Sequence, residues 1–192
     1  MSGLPVVLDV EGRLCVVIGG GRAGSLKAQA LVAAGADLRV IDPGPLDPAP
    51  LDHARIDHRR RRWRAGDGDG AFLVVIATDD EAVNEAAAAD AERQGALVLR
   101  ADLPERGSVR FPAVLRAGRV TVAIDTDGAS PTLAAWLRDR IADRSQGWAE
   151  LADWATANRP VTTEQLARHH ENMTGENLAD KNLAGERAGA ES

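Results

Sequence analysis

The chain has 192 residues, of which 44% are hydrophobic, as expected for a globular protein with one main core and a small second unit. The chain has 23 Lys and Arg residues and 29 Asp and Glu residues, and the resulting net charge of −6 argues against nucleic-acid binding. The only cysteine, Cys15, excludes an internal disulfide and a cysteine-based metal site and favours the cytoplasm. Because no apolar stretch approaches the roughly 20 residues that span a bilayer, we expect no membrane insertion.

A β-α-β unit is predicted at the start of the chain. Its elements are a strand over Arg13 to Ile18, an Ala-rich helix over Ala23 to Ala33 and a strand over Asp37 to Ile41. Between the first strand and the helix, the glycines follow the pattern Gly19-x-Gly21-x-x-Gly24. This pattern is typical of a dinucleotide pyrophosphate site, where glycines permit a tight turn and a helix N-terminus offers free N–H donors. The alternative is a glycine turn without a ligand.

Asp42 ends the second strand, about 20 residues beyond the glycines, where an acidic side chain accepts hydrogen bonds from both ribose hydroxyls of a dinucleotide. A carboxylate there favours NAD over NADP because it repels a 2′-phosphate. The alternative is a turn residue that opens a proline-rich stretch. The predicted cofactor-binding residues are Gly19, Gly21, Arg22, Ala23, Gly24, Asp42, Pro43, Thr78 and Asp79.

The remaining predicted elements extend the first unit into a doubly wound parallel sheet. Residues Ile56 to Trp63 are a possible edge strand, Phe72 to Ala77 form a buried strand, a helix ends near Gly95, and Ala96 to Leu99 form the last strand. Ligands of such sheets bind at the carboxyl ends of the strands, where Thr78 and Asp79 lie. N-capping of the following helix is the alternative role for these two residues.

A run of arginines over residues 59–64 is the densest positive charge in the chain. Charge runs of this kind are most often solvated faces, and nucleic-acid binding is the less favoured interpretation.

The last third of the chain departs from a plain dinucleotide domain. It contains two further strands, one of them over Val120 to Ile124, and a helix that begins with Ser130 as N-cap and Pro131 at its first position. Trp148, Leu151 and Trp154 recur at helical spacing. Beyond Pro160 the sequence becomes polar, and we expect its end to be disordered.

Four stretches together resemble the precorrin-2 dehydrogenase / sirohydrochlorin ferrochelatase family of sirohaem synthesis. They are LPVVLDVEGRLCVVIGGGRAGSLKA, VIATDDEAVN, ADLPERGSVRFPA and VAIDTDGASPTLAAWLR, within about residues 3 to 145. The resemblance implies NAD-dependent oxidation of precorrin-2 to sirohydrochlorin, often followed by insertion of Fe²⁺ in the same site, by a homodimer. It implies a Rossmann-like NAD-binding domain over residues 1–113 and a small α+β dimerisation segment over 114–145. The helical spacing of Trp148, Leu151 and Trp154 predicts that residues 146–192 form a helical tail.

Asp102 matches the catalytic carboxylate of that family, and a general base is needed both for dehydrogenation and for metal insertion. We expect partial burial and acidic neighbours to raise its pKa, while nearby arginines keep it below neutrality. The alternative is a turn-forming residue ahead of Leu103-Pro104.

The implied substrate carries many carboxylates and therefore requires a local cationic surface. Arg100, Arg106, Arg110, Arg116 and Arg119 lie in the relevant segment, and we select Arg100, Arg116 and Ser130 as candidate substrate-binding residues. Ser130 matches a family serine, and its alternative role is a plain N-cap. The metal, Fe²⁺ or Co²⁺, is a substrate here, because the sequence has no His/Cys cluster for a resident ion.

Three residues depart from the family pattern. Leu99 replaces an asparagine three residues before Asp102, and Asp125 and Asp127 bring acids to the site of a polyanion. Two other functions stay open. One is an NAD-sensing regulatory domain, which would have no use for Asp102. The other is an oxidoreductase of unrelated substrate, which would normally use a Tyr or His; this chain has no Tyr.

Overall fold

The computed structural model describes residues 3–46 and 56–175 and divides into two compact units, residues 1–111 and 112–192. The first unit is a five-stranded parallel sheet with the strand order β3-β2-β1-β4-β5. Its elements are β1 (Leu14–Ile18), α1 (Arg22–Ala33), β2 (Asp37–Ile41), β3 (Ile56–Arg59), β4 (Leu73–Ile76), α2 (Glu81–Arg93) and β5 (Leu97–Arg100), followed by a 3₁₀ turn over Pro104–Arg106. This order is that of the Rossmann fold, which confirms the predicted sheet.

Both faces of the sheet are buried, which explains why its central strands are continuously apolar. Val17 and Val75 face one side together with Leu31 of α1, while Val16 and Val74 face the other side, which also contains alanines of α2. Cys15 lies fully buried in the first of these clusters, and burial raises the pKa of its thiol to about 11. It is therefore a small core residue, as predicted.

The edge strand β3 is shorter than predicted because the chain turns after Arg59, where the amide of Arg61 donates to the Arg59 carbonyl at 2.8 Å. Beyond this turn, the buried carboxylate of Asp67 accepts hydrogen bonds from both terminal nitrogens of Arg61, at 2.7 and 2.6 Å, and from the amide of Arg64 at 2.8 Å. The hydrogen bond from Arg61 lowers the pKa of Asp67. Part of the arginine run is thus used in ion pairing within the first unit.

Within residues 112–175, the second unit contains an antiparallel hairpin and three helices. They are β6 (Ala113–Ala117), β7 (Val120–Ile124), α3 (Pro131–Ala142), α4 (Trp148–Ala157) and α5 (Thr163–Thr174). Helix α3 packs on the hairpin, and Trp154 of α4 stacks on His169 of α5 with ring centroids 4.2 Å apart. The α+β segment and the helical C-terminal region are confirmed.

Helix α5 lies within the predicted helical tail, but no separate helix was predicted there, although a local signal for one exists. Thr162 and Gln165 form a capping box, in which the Thr162 hydroxyl accepts from the Gln165 amide and the Gln165 side chain accepts from the Thr162 amide. The predicted disorder at the end of the chain concerns residues after 175, which lie outside the described residues. In the part of the chain that the structure describes, no helix has the length and apolarity that a membrane crossing requires.

Candidate active site

The glycine turn between β1 and α1 is built by close backbone approaches. Gly19 has a φ of +99°, and a Cβ placed there would lie 2.4 Å from the carbonyl oxygen of Ala77. A Cβ at Gly24 would lie 1.9 Å from the carbonyl oxygen of Gly19, so the third glycine lets the helix approach the turn. Gly21, the N-cap of α1, has nothing within 4 Å of its Cβ position. Open space beside Gly21 is what a bound pyrophosphate requires.

The first turn of α1 is free of local competitors for an anion. Gly21 supplies no side-chain cap, and the first turn contains no acidic residue. The amides of Arg22, Ala23 and Gly24 therefore have no helical partner and can donate to phosphate oxygens. Ser25, which the sequence reasoning missed, fixes the turn because its hydroxyl donates to the carbonyl of Gly20 at 2.8 Å.

Asp42 is tied to the glycine turn. Its Oδ2 accepts a hydrogen bond from the amide of Gly20 and its Oδ1 accepts one from the amide of Gly44, both at 2.6 Å. Gly20 was also missed, yet a Cβ there would lie 2.8 Å from Leu46 and 3.0 Å from the Asp42 Cβ. The carboxylate thus serves as a turn residue and keeps lone pairs for ribose hydroxyls. Pro43 follows it in an exposed position.

The carboxyl end of β4 is held by Asn84 of α2. The Thr78 hydroxyl donates to Asn84 Oδ1 at 2.6 Å, and Asn84 Nδ2 donates to the Thr78 carbonyl at 3.0 Å. The proposed N-cap role of Thr78 and Asp79 is wrong, because the N-cap of α2 is Asp80, whose side chain accepts from the Val83 amide at 3.1 Å. Asp79 is exposed at the same strand end.

Asp102 lies two residues after β5 and accepts three hydrogen bonds from two side chains. Its Oδ1 accepts from Arg100 Nε at 2.8 Å, and its Oδ2 accepts from Arg100 Nη2 at 2.7 Å and from Asn84 Nδ2 at 3.0 Å. The Asp102 side chain remains 27% exposed. A carboxylate at this strand end, oriented by fixed donors and open on one side, can accept a proton from a bound molecule.

The pKa of Asp102 departs from the sequence prediction. We expected a raised pKa, but the hydrogen bonds from Arg100, and a further one from Asn84, hold it well below its usual range. The desolvation that we expected to dominate is present but smaller than the effect of the guanidinium. Asp102 is therefore ionised at every pH at which the protein would work.

We predicted that Arg100 would lie on a substrate-facing surface, but it is buried in the first unit. Its side chain is 1% exposed, and besides Asp102 it contacts Glu85 of α2, with Nη1 3.1 Å from Glu85 Oε1. Arg106, on the 3₁₀ turn, donates to the same Glu85 oxygen at 3.0 Å and is largely exposed. The prediction of Arg100 as a ligand of substrate carboxylates is thus wrong, since its donors face protein carboxylates.

The other two candidate substrate residues lie in the second unit. Ser130 is the N-cap of α3, and its hydroxyl accepts a hydrogen bond from the Leu133 amide at 3.1 Å. It therefore has the N-cap role that we gave as its alternative. Arg116 is exposed on β6, where its Nη1 donates to Thr121 at 3.2 Å. Their contact with a substrate stays a prediction. Among the described residues, no group of three or more His, Cys, Asp or Glu side chains could hold a metal ion.

The departures from the family pattern have separate structural positions. Leu99 is buried in the core on β5, so it cannot supply the polar contact of an asparagine. Asn84 reaches Asp102 from α2 instead. Asp127 is the only described non-glycine residue with a positive φ, at 53°, in the turn before α3.

A Rossmann sheet with this glycine turn and an acidic residue after β2 defines a dinucleotide-binding protein. Residues 6–113 match the NAD(P)-binding family NAD_binding_7, and the chain belongs to this family.

The chain is also similar to curated siroheme synthases. It is 38% identical to that of Methylococcus capsulatus over 177 residues, which are 88% of this chain and 37% of that protein. It is 33% identical to that of Chromobacterium violaceum over 199 residues, which are 99% and 42% of the two chains. The chain therefore spans less than half the length of these relatives.

A solved structure named SirC, precorrin-2 dehydrogenase, has the same fold. It superposes with a TM-score of 0.68 over 85% of each chain at 23% sequence identity. The Rossmann-like sheet and the following α+β and helical region are thus shared with a known dehydrogenase structure.

Proposed function

We propose that this protein oxidises precorrin-2 to sirohydrochlorin with NAD⁺ as the hydride acceptor. The observation that carries the proposal is the Asp102 carboxylate, fixed as an anion at the same sheet edge as the glycine turn. A hydrogen-bonded chain from Thr78 through Asn84 to Asp102 joins the end of β4 to the end of β5. The similarity to siroheme synthases supports a tetrapyrrole as the substrate.

The glycine turn and Asp42 would hold NAD⁺, which would supply the acceptor for the hydride that leaves a ring carbon of the substrate. The protein's part is to accept the proton that is lost from the macrocycle and to stabilise the positive charge that develops as hydride departs. Asp102 suits both tasks because it is anionic and partly open. Its low pKa makes it a weak base, so its main task is to stabilise that positive charge, and a proton that it accepts passes on to solvent water.

The preference for NAD over NADP is part of the proposal and rests on Asp42. Both of its oxygens are held by backbone amides at 2.6 Å, so the carboxylate cannot easily turn away from a ligand. A 2′-phosphate would therefore meet a fixed negative charge.

Insertion of Fe²⁺ or Co²⁺ into sirohydrochlorin is a second candidate activity of the same site. It is favoured by the partly exposed, anionic carboxylate of Asp102, which could accept the pyrrole protons that the metal displaces.

We also propose a homodimer. In the second unit, Leu133 and Trp136 of α3 are 47% and 54% exposed, as expected for a face that a partner covers.

The decisive experiment incubates the pure protein with precorrin-2 and NAD⁺ or NADP⁺ and follows the absorbance of NADH and sirohydrochlorin. We expect turnover with NAD⁺ and a loss of about 10²-fold or more in Asp102→Asn, the scale of a removed general base. Glu105→Gln is the matched control, since Glu105 is an exposed carboxylate three residues away. NAD⁺ binding without turnover would favour an NAD-sensing regulatory domain. Equal rates in Asp102→Asn and in the unmodified protein would show that Asp102 takes no part in the reaction.

A further inference from the structure

Arg100 is the largest side chain that is fully buried in the described part of the chain. A buried guanidinium is costly unless every donor faces an acceptor and a carboxylate neutralises it. Here Nε and Nη2 face the two oxygens of Asp102 and Nη1 faces Glu85. The arginine thus lies between two carboxylates that come from different elements.

The geometry between Arg100 and Asp102 is bidentate, with distances of 2.8 and 2.7 Å. Two parallel hydrogen bonds fix the plane of a carboxylate, which a single bond does not. Asn84 adds a third bond to Oδ2 from α2, at 3.0 Å. The remaining lone pairs of Asp102 therefore point in a direction that the protein sets.

The charges around this contact alternate. Asp102 is paired with Arg100, Arg100 with Glu85, and Glu85 with Arg106 on the 3₁₀ turn. Asp102, Glu85 and Arg106 are 27%, 47% and 62% exposed, so Arg100 is the one fully buried member of this row. The buried member is the one that contacts the carboxylate of the proposed reaction.

We propose that Arg100 is a positioning residue that orients the Asp102 carboxylate, with Glu85 seating the guanidinium and Asn84 holding the second oxygen. The inference rests on the proposed function, because it concerns the carboxylate of that reaction. It assigns to Arg100 a role through Asp102 and not through contact with the substrate.

The first test measures the ionisation of Asp102 without any reaction. The protein is labelled with ¹³C at aspartate carboxyl carbons, Asp102→Asn assigns the signal, and the chemical shift is followed with pH. In the unmodified protein we expect no titration step down to about pH 4, the ordinary range of aspartate. In Arg100→Met, which removes the charge and all three donors, the step should appear at about pH 4 or above. Arg93→Met is the control, since Arg93 is an exposed arginine of α2 that pairs with Asp90 and not with Asp102.

The second test measures catalysis by the same variants. Arg100→Met should lower kcat about tenfold or more with little change in KM for NAD⁺, and its rate should fall on the acid side where the unmodified rate is flat. The sign follows from the raised pKa, because protonated Asp102 accumulates as the pH falls. Arg100→Lys, which restores the charge without the fork, should recover the flat profile and part of kcat. It also serves if Arg100→Met does not fold.

The inference is overturned if the Asp102 signal titrates identically in the unmodified protein and in Arg100→Met, or if the titration changes while kcat does not. A lower thermal stability of Arg100→Met with an unchanged titration would show a structural role only, and would equally overturn it. Failure of the proposed function is a separate result. It would show as an unchanged rate in Asp102→Asn, while the carboxyl titration would still decide whether Arg100 lowers the pKa of Asp102.

Discussion

Gly21 and Gly24 have different roles in the same turn, and replacing each one with alanine should distinguish cofactor binding from fold stability. A Cβ at Gly24 would lie 1.9 Å from the Gly19 carbonyl oxygen, so helix α1 or the turn must shift by more than about 1 Å to restore ordinary contact. Gly21 has an ordinary φ of −64° and no atom within 4 Å of its Cβ position. The new methyl group therefore contacts the protein backbone in Gly24→Ala and enters open space in Gly21→Ala.

The magnitudes follow from this difference. Overpacking against an unyielding backbone costs up to about 3 kcal/mol, and alanine regains about 1 kcal/mol of helix propensity, so Gly24→Ala should lose about 2 kcal/mol. For a chain of this size, the melting temperature should fall by about 4–8 °C. Gly21→Ala should lose only about 1 kcal/mol, because alanine is a poorer N-cap than glycine. It should nevertheless weaken NAD⁺ binding about tenfold or more, since its methyl group enters the space of the pyrophosphate.

The assays are thermal unfolding without ligand and calorimetric titration with NAD⁺, applied to both variants. An unchanged melting temperature in Gly24→Ala would refute the close approach of α1 to the turn. Unchanged NAD⁺ affinity in Gly21→Ala would refute the predicted path of the pyrophosphate past this residue.

Three further outcomes are expected. Asp42→Ala should weaken NAD⁺ binding and narrow the preference for NAD⁺ over NADP⁺, which a competitive titration with both cofactors measures. Equal affinities of the unmodified protein for NAD⁺ and NADP⁺ would contradict the prediction. Asp67→Asn should destabilise the protein by roughly 2 kcal/mol at pH 7, because the buried carboxylate that pairs with Arg61 is lost. Since the pKa of Asp67 is lowered in the fold, its stabilisation is present above about pH 4 and is lost as the pH falls further, so the two proteins should converge in denaturant unfolding at acid pH. Light scattering at micromolar concentration should give the mass of a dimer, and a monomer would disprove the proposed assembly.

Local sequence determined most of the sheet and its order of elements. Strand β2 over Asp37–Ile41, strand β7 over Val120–Ile124 and the start of α3 at Pro131 agree with the predictions to the residue. These elements are encoded by short-range features, namely apolar runs and a Ser-Pro capping signal, which act within one or two turns of the chain. The glycine turn was recognisable for the same reason.

The environment of Asp102 was decided only by the tertiary structure. Its position after β5 was readable, but its pKa was predicted in the wrong direction because the sequence does not show which groups face it. Arg100 is two residues away and Asn84 is eighteen residues away, and both reach the same carboxylate only after α2 packs beside β5. Burial and partner identity set the sign of a pKa shift, and both arise when distant elements are brought together.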